Sequence, residues 1–531
     1  MPGTYTYPGV YIEEVPSGVH AIAGVSTAET AFVDFFPRGP LETAVRITSF
    51  GDFGRIFGGL DPRSEASYAI QQYYLNGGQI AWVVRTGVGD PTPASRMLLA
   101  SSPPSGSLKV SAANPGAWGR NLEVAVIQGA ALDRFDLFVR EVAIQGGKTQ
   151  VLALEEYRGL SMSIDDRRYA IDVVNAGSSL VTLEDQDLGA VPLAVAPTSS
   201  GGAPEDAFEP LDTGGDDGDA FDADGGFDDE AGFATALEGN ETDKTGIHAL
   251  DSIDPFVFNI LCLPVAAKLD ETIGSSLVAA ATTYCEDHRA FLIVDIPESV
   301  HSVDGMIQWA AAHAQRSKNA AVYFPRVLVP DPLNEGRPRN AGPSGVMAGV
   351  FARTDANRGV WKAPAGIEAR LRGVTLATVL NDQENGALNP LGINVLRTRP
   401  VFGNISFGGR TLDGADQLAS EWKYIPVRRT ALYIEESLRQ GLAWVVFEPN
   451  DEPLWAQIRL NTGAFMQTLF RQGAFQGSTP RDAYFVKCDA ETTTPADVGR
   501  GVVNILVGFA PLQPAEFVVI RIQQMASQAQ L

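Results

Sequence analysis

The sequence predicts a mixed α/β fold, in which an α/β middle domain is interrupted by a β-rich insertion and followed by an α+β C-terminal domain. Three observations lead to this prediction. Strand-like and helix-like segments alternate on both sides of a central region, the central region contains strands alone, and long amphipathic helices follow only after both. A length of 531 residues also exceeds what one ordinary hydrophobic core accommodates and favours about three domains.

We place the domain limits where the composition and the strand–helix rhythm change. The N-terminal arm is expected at residues 1–29, and the two parts of the middle domain are expected at 30–90 and 247–385. The β-rich insertion is expected at 91–200, the acidic loop at 201–246 and the C-terminal domain at 386–531. The two parts of the middle domain are expected to share one mixed sheet, because the same rhythm resumes after the insertion.

The N-terminal arm contains an isolated strand-like run, "VYIEEV", between two turns that are marked by proline and glycine. Val10 and Ile12 would point to one side of this strand, and Tyr11 and Val15 to the other. No hairpin turn follows the run, so its pairing partner must lie far away in this chain or in another.

The first part of the middle domain is predicted to form a strand, two helices and a second strand. "ETAFVDFF" and "QIAWVVRTG" are rich in β-forming residues. Between them, Ser49 and Ser64 are suitable N-caps for two helices, and Gly58 and Gly77 are suitable residues to end them.

The insertion contains consecutive strand-like runs, namely "NLEVAVIQ", "RFDLFVREV", "TQVLALEEY" and "SLVTLEDQ". The stretch from Glu205 to Asp243 follows and contains fifteen Asp and Glu but no Lys or Arg, in a chain whose net charge is −24. This composition is typical of a solvated loop.

The second part of the middle domain contains three strand-like runs, "DPFVFNILCLPV", "RAFLIVDIP" and "NAAVYFPRVLV". They alternate with the helix-like segments "ETIGSSLVAAATTYCEDH", "DGMIQWAAAHAQ" and "SGVMAGVFARTD". Such alternation favours a parallel or mixed sheet with helices on its faces.

The C-terminal segment is predicted to contain two long amphipathic helices. In the first, Ile434, Leu438 and Leu442 recur every four residues, and the second has a longer apolar stripe of Trp455, Ile458, Phe465 and Leu469. "TTTPADVGR" predicts a short helix with Thr494 as its N-cap, and two strand-like runs follow, "GVVNILVGF" and "EFVVIRI".

Composition argues against several classes of protein. The acidic balance disfavours nucleic-acid binding, which requires a basic face. The three cysteines, Cys262, Cys285 and Cys488, are too few for a disulfide framework and favour a reducing compartment. We find no secretory signal pattern at the start of the sequence and no run of about 18 apolar residues that would cross a membrane.

A hydrolase is one alternative that the residues leave open. Asp295 follows a predicted strand, at the position where α/β enzymes keep catalytic groups, and His288, His301 and His313 are near it in sequence. This alternative requires His288 or His301 beside Asp295 in a pocket. The non-catalytic interpretation is that Asp295 caps a helix or binds loop backbone.

A calcium-binding acidic loop is a second alternative. Asp222, Asp224, Asp228 and Asp229 could supply oxygen ligands, but Gly226 stands where an EF-hand needs a third ligand. A plain solvated loop is therefore the favoured interpretation. A surface adhesin that used this loop would also need an export signal.

Seven stretches of the sequence occur together in a distinctive order. They are "YPGVYIEEVPSG", "GVSTAETAFV", "PGAWGRNLEVAV", "GVFARTDANRGVWKAPAG", "INVLRTRPVFGNISFGGRTL", "WKYIPVRRTALYIEESLRQGLAWVVFEPND" and "GFAPLQPAEFVVIRI". Together they resemble the tail sheath protein of contractile phage tails and of phage-tail-like contractile injection systems. The region 91–246 departs from this pattern except at "PGAWGRN".

The resemblance implies a structural subunit with no active site and no cofactor. Such subunits form a six-start helical sleeve around an inner tube and contract to drive the tube through a target envelope. The implied partners are further copies of the chain, the inner tube protein, and baseplate and terminator or cap proteins, without nucleic acid or direct membrane insertion. The resemblance also implies assembly in the bacterial cytoplasm, as part of a phage tail or tail-like particle that lysis would release.

The resemblance further implies that an N-terminal and a C-terminal strand cross to neighbouring subunits and complete a small sheet there. The residues that match these linking strands are Val10, Tyr11, Ile12, Val15, Phe517, Val518, Val519, Ile520 and Ile522. The alternative is that both strands pair within their own chain.

The family's tube-facing helix matches "TPADVGRG", which makes Thr494, Asp497 and Arg500 candidates for contact with the tube. The alternative is that Asp497 only caps its own helix. The insertion at 91–246 is expected on the outside of the sleeve, and deletion of 205–243 is expected to leave assembly intact.

Overall fold

The computed structural model describes residues 21–99, 106–129, 131, 133–145, 147–186, 191–192, 204–254, 257–313 and 315–519. The predicted linking residues Val10, Tyr11, Ile12, Val15, Ile520 and Ile522 lie outside the described residues. None of the helices in the described ranges is long and apolar enough to span a bilayer.

The helices and strands follow one another along the described chain as the predicted alternation requires. The helices are α1 Phe50–Phe57, α2 Glu65–Asn76, α3 Ala170–Gly177, α4 Glu230–Glu238, α5 Glu271–Asp287, α6 Val303–His313, α7 Ser344–Arg358, α8 Asp382–Leu388, α9 Ile425–Gly441, α10 Glu452–Arg471, α11 Pro480–Ala483 and α12 Pro495–Gly499. The strands are β1 Thr30–Asp34, β2 Val45–Ile47, β3 Ala81–Arg85, β4 Ser95–Leu99, β5 Gly106–Ala112, β6 Leu122–Gln128, β7 Arg134–Gln145, β8 Lys148–Ser161, β9 Val181–Asp185, β10 Glu209–Pro210, β11 Ile260–Cys262, β12 Phe291–Val294, β13 Ala320–Phe324, β14 Val327–Asp331, β15 Arg337–Ala341, β16 Thr375–Leu376, β17 Asn394–Arg399, β18 Gly403–Ser406, β19 Tyr484–Lys487 and β20 Leu506–Phe509.

An eight-stranded sheet in the order β18-β17-β13-β12-β11-β1-β3-β2 forms the centre of the larger part of the molecule. Its six inner strands are parallel, whereas β2 and β18 pair antiparallel at the two edges. Strand β1 pairs with β11, so that Ala31 lies opposite Leu261 across a gap of more than two hundred residues in the sequence. The predicted mixed α/β class is confirmed.

The helix signals of the first part are also confirmed. The Ser49 side chain accepts a hydrogen bond from the Asp52 N–H at the start of α1, and the Ser64 side chain accepts one from Ser67 at the start of α2. Helix α2 ends at Gly77, whose φ of 118° requires glycine.

Helices α2 and α7 approach each other closely because α7 presents glycine to α2. A Cβ atom at Gly345 would lie 2.3 Å from the carbonyl oxygen of Ala69, and one at Gly349 would lie 2.5 Å from that of Tyr73. Any larger residue would therefore force the helices apart. The run "SGVMAGVFARTD" thus encodes both a helix and its packing distance.

The insertion is β-rich, as predicted. It contains a three-stranded sheet, β4-β5-β9, and a four-stranded sheet, β10-β6-β7-β8, and every pairing in them is antiparallel. Side chains of the two sheets share a core that includes Val110, Leu137 and Leu183.

The acidic stretch differs from the solvated loop that its composition favours. Its described residues 204–246 form turns, helix α4 and the short strand β10, which pairs with β6 of the insertion. Three phenylalanines of the stretch pack into the core of the eight-stranded sheet. Phe233 is fully buried, and the Phe221 ring lies 5.0 Å from the Phe35 ring. Aromatic residues that recur every six positions between the carboxylates anchor this stretch. The mean composition of the stretch does not indicate this pattern.

The observed limit of the sheet-containing unit also differs from the predicted limit at 385/386. Strands β17 and β18 belong to the eight-stranded sheet, and the chain divides into compact units between Ile425 and Pro426. The run "NAAVYFPRVLV" likewise forms two strands rather than one, because β14 leaves the main sheet and pairs with β15 and β16.

Candidate functional site

The second compact unit contains most of the residues to which the sequence assigned a role. It comprises the described residues up to Val25, Gly359–Trp361 and those from Pro426 onward. Helices α9 and α10 supply its core, in which Ile434, Phe465 and Leu469 are buried. Trp455 and Ile458 pack in a second cluster with Cys488, so the predicted apolar stripes are core-facing.

Strands β19 and β20 form a two-stranded antiparallel sheet on this helical core, with Val486 opposite Val507. One face of the sheet, which includes Val486 and Phe509, packs on the core cluster, whereas Phe485 and Leu506 on the other face are about half exposed. No third strand pairs with β19 or β20 in the part of the chain that the structure describes. Both edges of the sheet therefore present backbone groups to which a further strand could bind.

The sequence predicted β20 but not its partner. "RDAYFVKCD" carries the signal for β19, because Tyr484, Phe485 and Val486 are three consecutive β-forming residues. Strand β19 is only four residues long and directly follows helix α11, so its β-forming pattern is shorter than the patterns of the neighbouring elements.

The residues that follow β20 are apolar and exposed. Phe517, Val518 and Val519 are 76%, 80% and 78% exposed and belong to no strand. Three consecutive large apolar side chains in water are unfavourable unless a partner covers them.

Helix α12 begins as predicted at Thr494. The Asp497 carboxylate accepts hydrogen bonds from the Thr494 N–H at 3.0 Å and from its hydroxyl at 2.7 Å, which completes a capping box. Arg500 pairs with the same carboxylate at 2.5 Å. The hydrogen bonds from Thr494, together with Arg500, lower the pKa of Asp497.

Asp497 thus has a local structural role whatever else it contacts. Its side chain is largely covered, whereas that of Arg500 is 71% exposed. The guanidinium of Arg500 is the part of this pair that is available to a partner.

The arrangement that a hydrolase would require is absent from the described residues. Asp295 is buried and accepts hydrogen bonds from the N–H of Ser344 at 2.9 Å and from its hydroxyl, so it caps helix α7. His288 instead pairs with Asp251, and His301 contacts the Ser299 carbonyl. The hydrolase hypothesis is wrong in its required geometry.

Burial raises the pKa of Asp295 to about 6, against the effect of its hydrogen bonds from Ser344. The adjoining cavity admits about 20 Å³, roughly one water molecule. The shifted pKa is therefore a consequence of a buried helix cap.

The four aspartates proposed for calcium do not converge on one point. Asp222 accepts hydrogen bonds from the N–H groups of Asp224 and Gly226, and Asp229 caps helix α4 through the N–H of Gly232. No cluster of three or more potential metal ligands occurs in the described ranges. Backbone N–H groups therefore bind the carboxylates of Asp222 and Asp229.

Comparison with protein families identifies a known domain in this part of the chain. Residues 418–525 match the phage tail sheath C-terminal domain. This match includes helices α9 to α12, the β19–β20 sheet and Phe517–Val519.

Two curated relatives are tail sheath proteins. The chain is 26% identical over 248 residues to a prophage major tail sheath protein of Pseudomonas aeruginosa strain UCBPP-PA14, and the match covers 45% of this chain and 59% of the relative. It is 29% identical over 157 residues to the tail sheath protein of Vibrio phage KVP40, where the match covers 29% of this chain and 22% of the relative. The chain thus spans less than two thirds of the length of either relative.

Solved structures share the fold over almost the whole chain. The sheath of an extracellular contractile injection system, PVC, in its contracted state matches with a TM-score of 0.59 and 21% identity over 99% of both chains. The contracted helical sheath of the anti-feeding prophage matches with a TM-score of 0.55 and 22% identity over 98% of this chain and 99% of that one. A sheath tail protein from Listeria innocua matches with a TM-score of 0.58 and 14% identity over 93% of this chain and 96% of that one.

The resemblance that the sequence motifs predicted is therefore confirmed: residues 418–525 match the phage tail sheath C-terminal domain, and the chain has the fold of contractile sheath subunits.

Proposed function

We propose that this chain is a non-enzymatic structural subunit that polymerises into a helical contractile sleeve around an inner tube and contracts to drive the tube through a target envelope. The observation that carries the proposal is the fold match to two contractile sheaths over 98–99% of the chain. The sheath-type C-terminal domain supports it independently.

The β19–β20 sheet is the proposed acceptor for strands from neighbouring subunits. A two-stranded sheet is only marginally stable alone, and it gains main-chain hydrogen bonds when strands add at its edges. Val10–Val15 and Phe517–Ile522 are the proposed donors. The exposure of Phe517–Val519 supports this assignment, since strand addition would bury them.

Strand addition suits a lattice that changes shape, because main-chain hydrogen bonds do not depend on side-chain identity and the flanking chain can bend. Subunits could then rotate while they remain linked. Contraction itself would be a switch between two packings of rigid subunits, for which no cofactor is needed.

Helix α12 is the proposed contact with the inner tube. Arg500 would supply the contact while Asp497 holds the helix terminus through Thr494. Further proposed partners are baseplate and terminator or cap proteins, with no nucleic acid and no direct membrane insertion. The particle would be a phage tail or tail-like particle, assembled in the bacterial cytoplasm and released on lysis.

The test is assembly of the purified full chain, followed by sedimentation and negative-stain microscopy. We expect hollow tubes for the parent chain and folded monomers after removal of residues 1–17. Five ladder hydrogen bonds at about 0.5–1.5 kcal/mol each would be lost per subunit, together with burial of the arm's apolar side chains.

A milder variant, Ile12→Pro, removes one N–H group from the proposed strand and should have the same effect. Ile12→Val is the matched control and should assemble normally. Circular dichroism should remain native for all three variants. Full-length tubes from the truncated chain would contradict strand exchange, whereas absence of any polymer from the parent chain would contradict the proposed function itself.

A further inference from the structure

The hairpin formed by β17 and β18 lies at one edge of the eight-stranded sheet and ends in an unusual turn. Val401 at its tip has a φ of 71°, a left-handed conformation that β-branched residues rarely adopt. Its side chain is 92% exposed. The turn therefore holds an apolar side chain away from the protein in a conformation that its own packing does not explain.

Arginines surround this tip. The segment Gly366–Leu371 runs beside β18, where the Leu371 N–H donates to the Asn404 carbonyl at 2.9 Å. Arg370 lies 5.7 Å from the Phe402 ring, and Arg399 lies 4.6 Å from the Phe407 ring. The aromatic rings hold these guanidinium groups at the surface.

We define the basic surface as Ile367, Arg370, Arg372, Arg399 and Val401. Arg370 and Arg372 are exposed and have no carboxylate partner among the described residues. Arg399 pairs with Asp382 at 3.7 Å, and Glu368, the acid between Ile367 and Arg370, pairs with Arg358 at 2.7 Å. The strand pair contributes no acid, because residues 394–410 contain three arginines and no Asp or Glu. A basic and apolar surface of this kind is exceptional in a chain of net charge −24 and favours an acidic partner.

The same unit carries a surface of the opposite charge. We define the acidic face as the exposed residues Asp222, Asp224, Asp228, Asp229, Glu238, Glu241 and Asp243. It belongs to the stretch that packs against Phe35, directly after β1, through Phe221. Four strand spacings, about 19 Å, separate β1 from β17 in the sheet, so the acidic face and the hairpin are attached at different strands.

We infer that the basic surface of one copy binds the acidic face of a second copy of this chain. Two different, complementary surfaces on one subunit give a heterologous contact, which repeats head to tail and generates rings or helices. Val401 would be buried at the hairpin tip, where the arginines would pair with carboxylates, and Ile367 would be covered at the other end of the hairpin, beside Ser406. This inference rests on the proposed function and assigns one of the contacts between subunits.

The test uses charge reversal on the full-length chain. The variant Arg370→Glu/Arg372→Glu reverses the basic surface. The variant Asp224→Lys/Asp228→Lys/Glu241→Lys/Asp243→Lys replaces four of the seven carboxylates of the acidic face, which makes that face net positive. It leaves Asp222, which holds a turn, and Asp229, which caps helix α4, unchanged. Arg316→Glu/Arg337→Glu changes the net charge by the same amount as the arginine variant, at exposed positions elsewhere, and is its control. Circular dichroism and thermal melting verify that each variant is folded.

We expect each surface variant alone to lose sedimenting polymer by about tenfold or more, because like charges then face each other, whereas the control assembles normally. An equimolar mixture of the two surface variants should recover polymer, since each then offers the other a complementary surface. A combined variant, with both surfaces reversed in one chain, should also recover it. Raising the salt concentration from about 0.05 M to about 0.5 M should weaken assembly of the parent chain and leave the pattern of rescue unchanged.

Normal assembly of both surface variants would overturn the inference while the proposed function stands. Loss of assembly in the arginine variant without rescue by either combination would also overturn it, because the occupant would then be another protein or another surface. A parent chain that never polymerises would overturn the proposed function together with the inference.

Discussion

Two segments of this chain invert the usual relation between composition and burial. The acidic stretch at 204–246 is rich in carboxylates, yet Phe233 within it is fully buried in the core of the eight-stranded sheet. Phe517–Val519 are wholly apolar, yet each is at least three-quarters exposed. The difference lies in partners: the phenylalanines of the acidic stretch find their partners within their own chain, whereas we propose that Phe517–Val519 find theirs in a neighbour.

The largest expected effect comes from making the exposed segment polar. Phe517→Ser/Val518→Ser/Val519→Ser should abolish tubes, because burial of three large side chains at about 1.5–3 kcal/mol each would be lost at every contact. The free energy of unfolding of the isolated subunit should stay within about 0.5 kcal/mol of the parent value. Sedimentation measures the first and urea denaturation the second, and a destabilised monomer would contradict the proposed role.

The second prediction concerns the buried side of the comparison. Phe233→Ala should lower the free energy of unfolding by about 3–5 kcal/mol, since the side chain leaves a cavity in the core. Phe447→Ala is the matched control, because Phe447 is fully exposed and its loss should cost the monomer less than about 0.5 kcal/mol. Equal effects of the two variants on urea unfolding would show that the acidic stretch is not anchored as described.

The anchoring also changes what deletion should do. For a solvated loop, removal of residues 205–243 would leave assembly intact. Because the stretch contributes Phe233 to the core and Asp217 to an ion pair with Arg63 at 2.9 Å, we now expect the deletion to destabilise the subunit itself.

A buried acid gives a smaller, pH-dependent effect. Burial raises the pKa of Asp295 from 3.8 to about 6, so the folded state retains a proton that the unfolded state loses between these values. Stability from this group is therefore present below about pH 4 and decreases as the pH rises to about 6, by up to about 1.4 kcal/mol per pH unit. In Asp295→Asn the decrease in stability across that range should become smaller, while Asp34, whose pKa burial raises to about 7, still contributes a decrease of the same sign. Urea unfolding curves recorded across the range measure the slope, and an unchanged slope would contradict the assignment.

The smallest effect is expected at helix α12. Thr494→Ala should destabilise the helix terminus by about 0.5–2 kcal/mol through loss of the cap, whereas Thr494→Ser should retain it. Amide hydrogen exchange of residues 496–499 measures this local opening. Faster exchange in both variants alike would mean that the hydroxyl is not the stabilising group.

The sequence by itself determined the features that depend on neighbours along the chain. Ser49, Ser64 and Thr494 begin their helices as predicted, since an N-cap acts within three residues. The alternation of strands and helices and the apolar stripes of α9 and α10 also depend only on residues near one another in the sequence. The family motifs indicated the fold without information about side-chain packing.

Only the tertiary structure decided what depends on distant partners. In the tertiary structure, β17 and β18 belong to the main sheet, and the short strand β19 pairs with β20. Asp295 caps helix α7 rather than pairing with a histidine. The tertiary structure also buries the phenylalanines of the acidic stretch. The physical reason is the same in each case: a contact between residues far apart in sequence depends on two surfaces at once, and a local pattern describes only one of them.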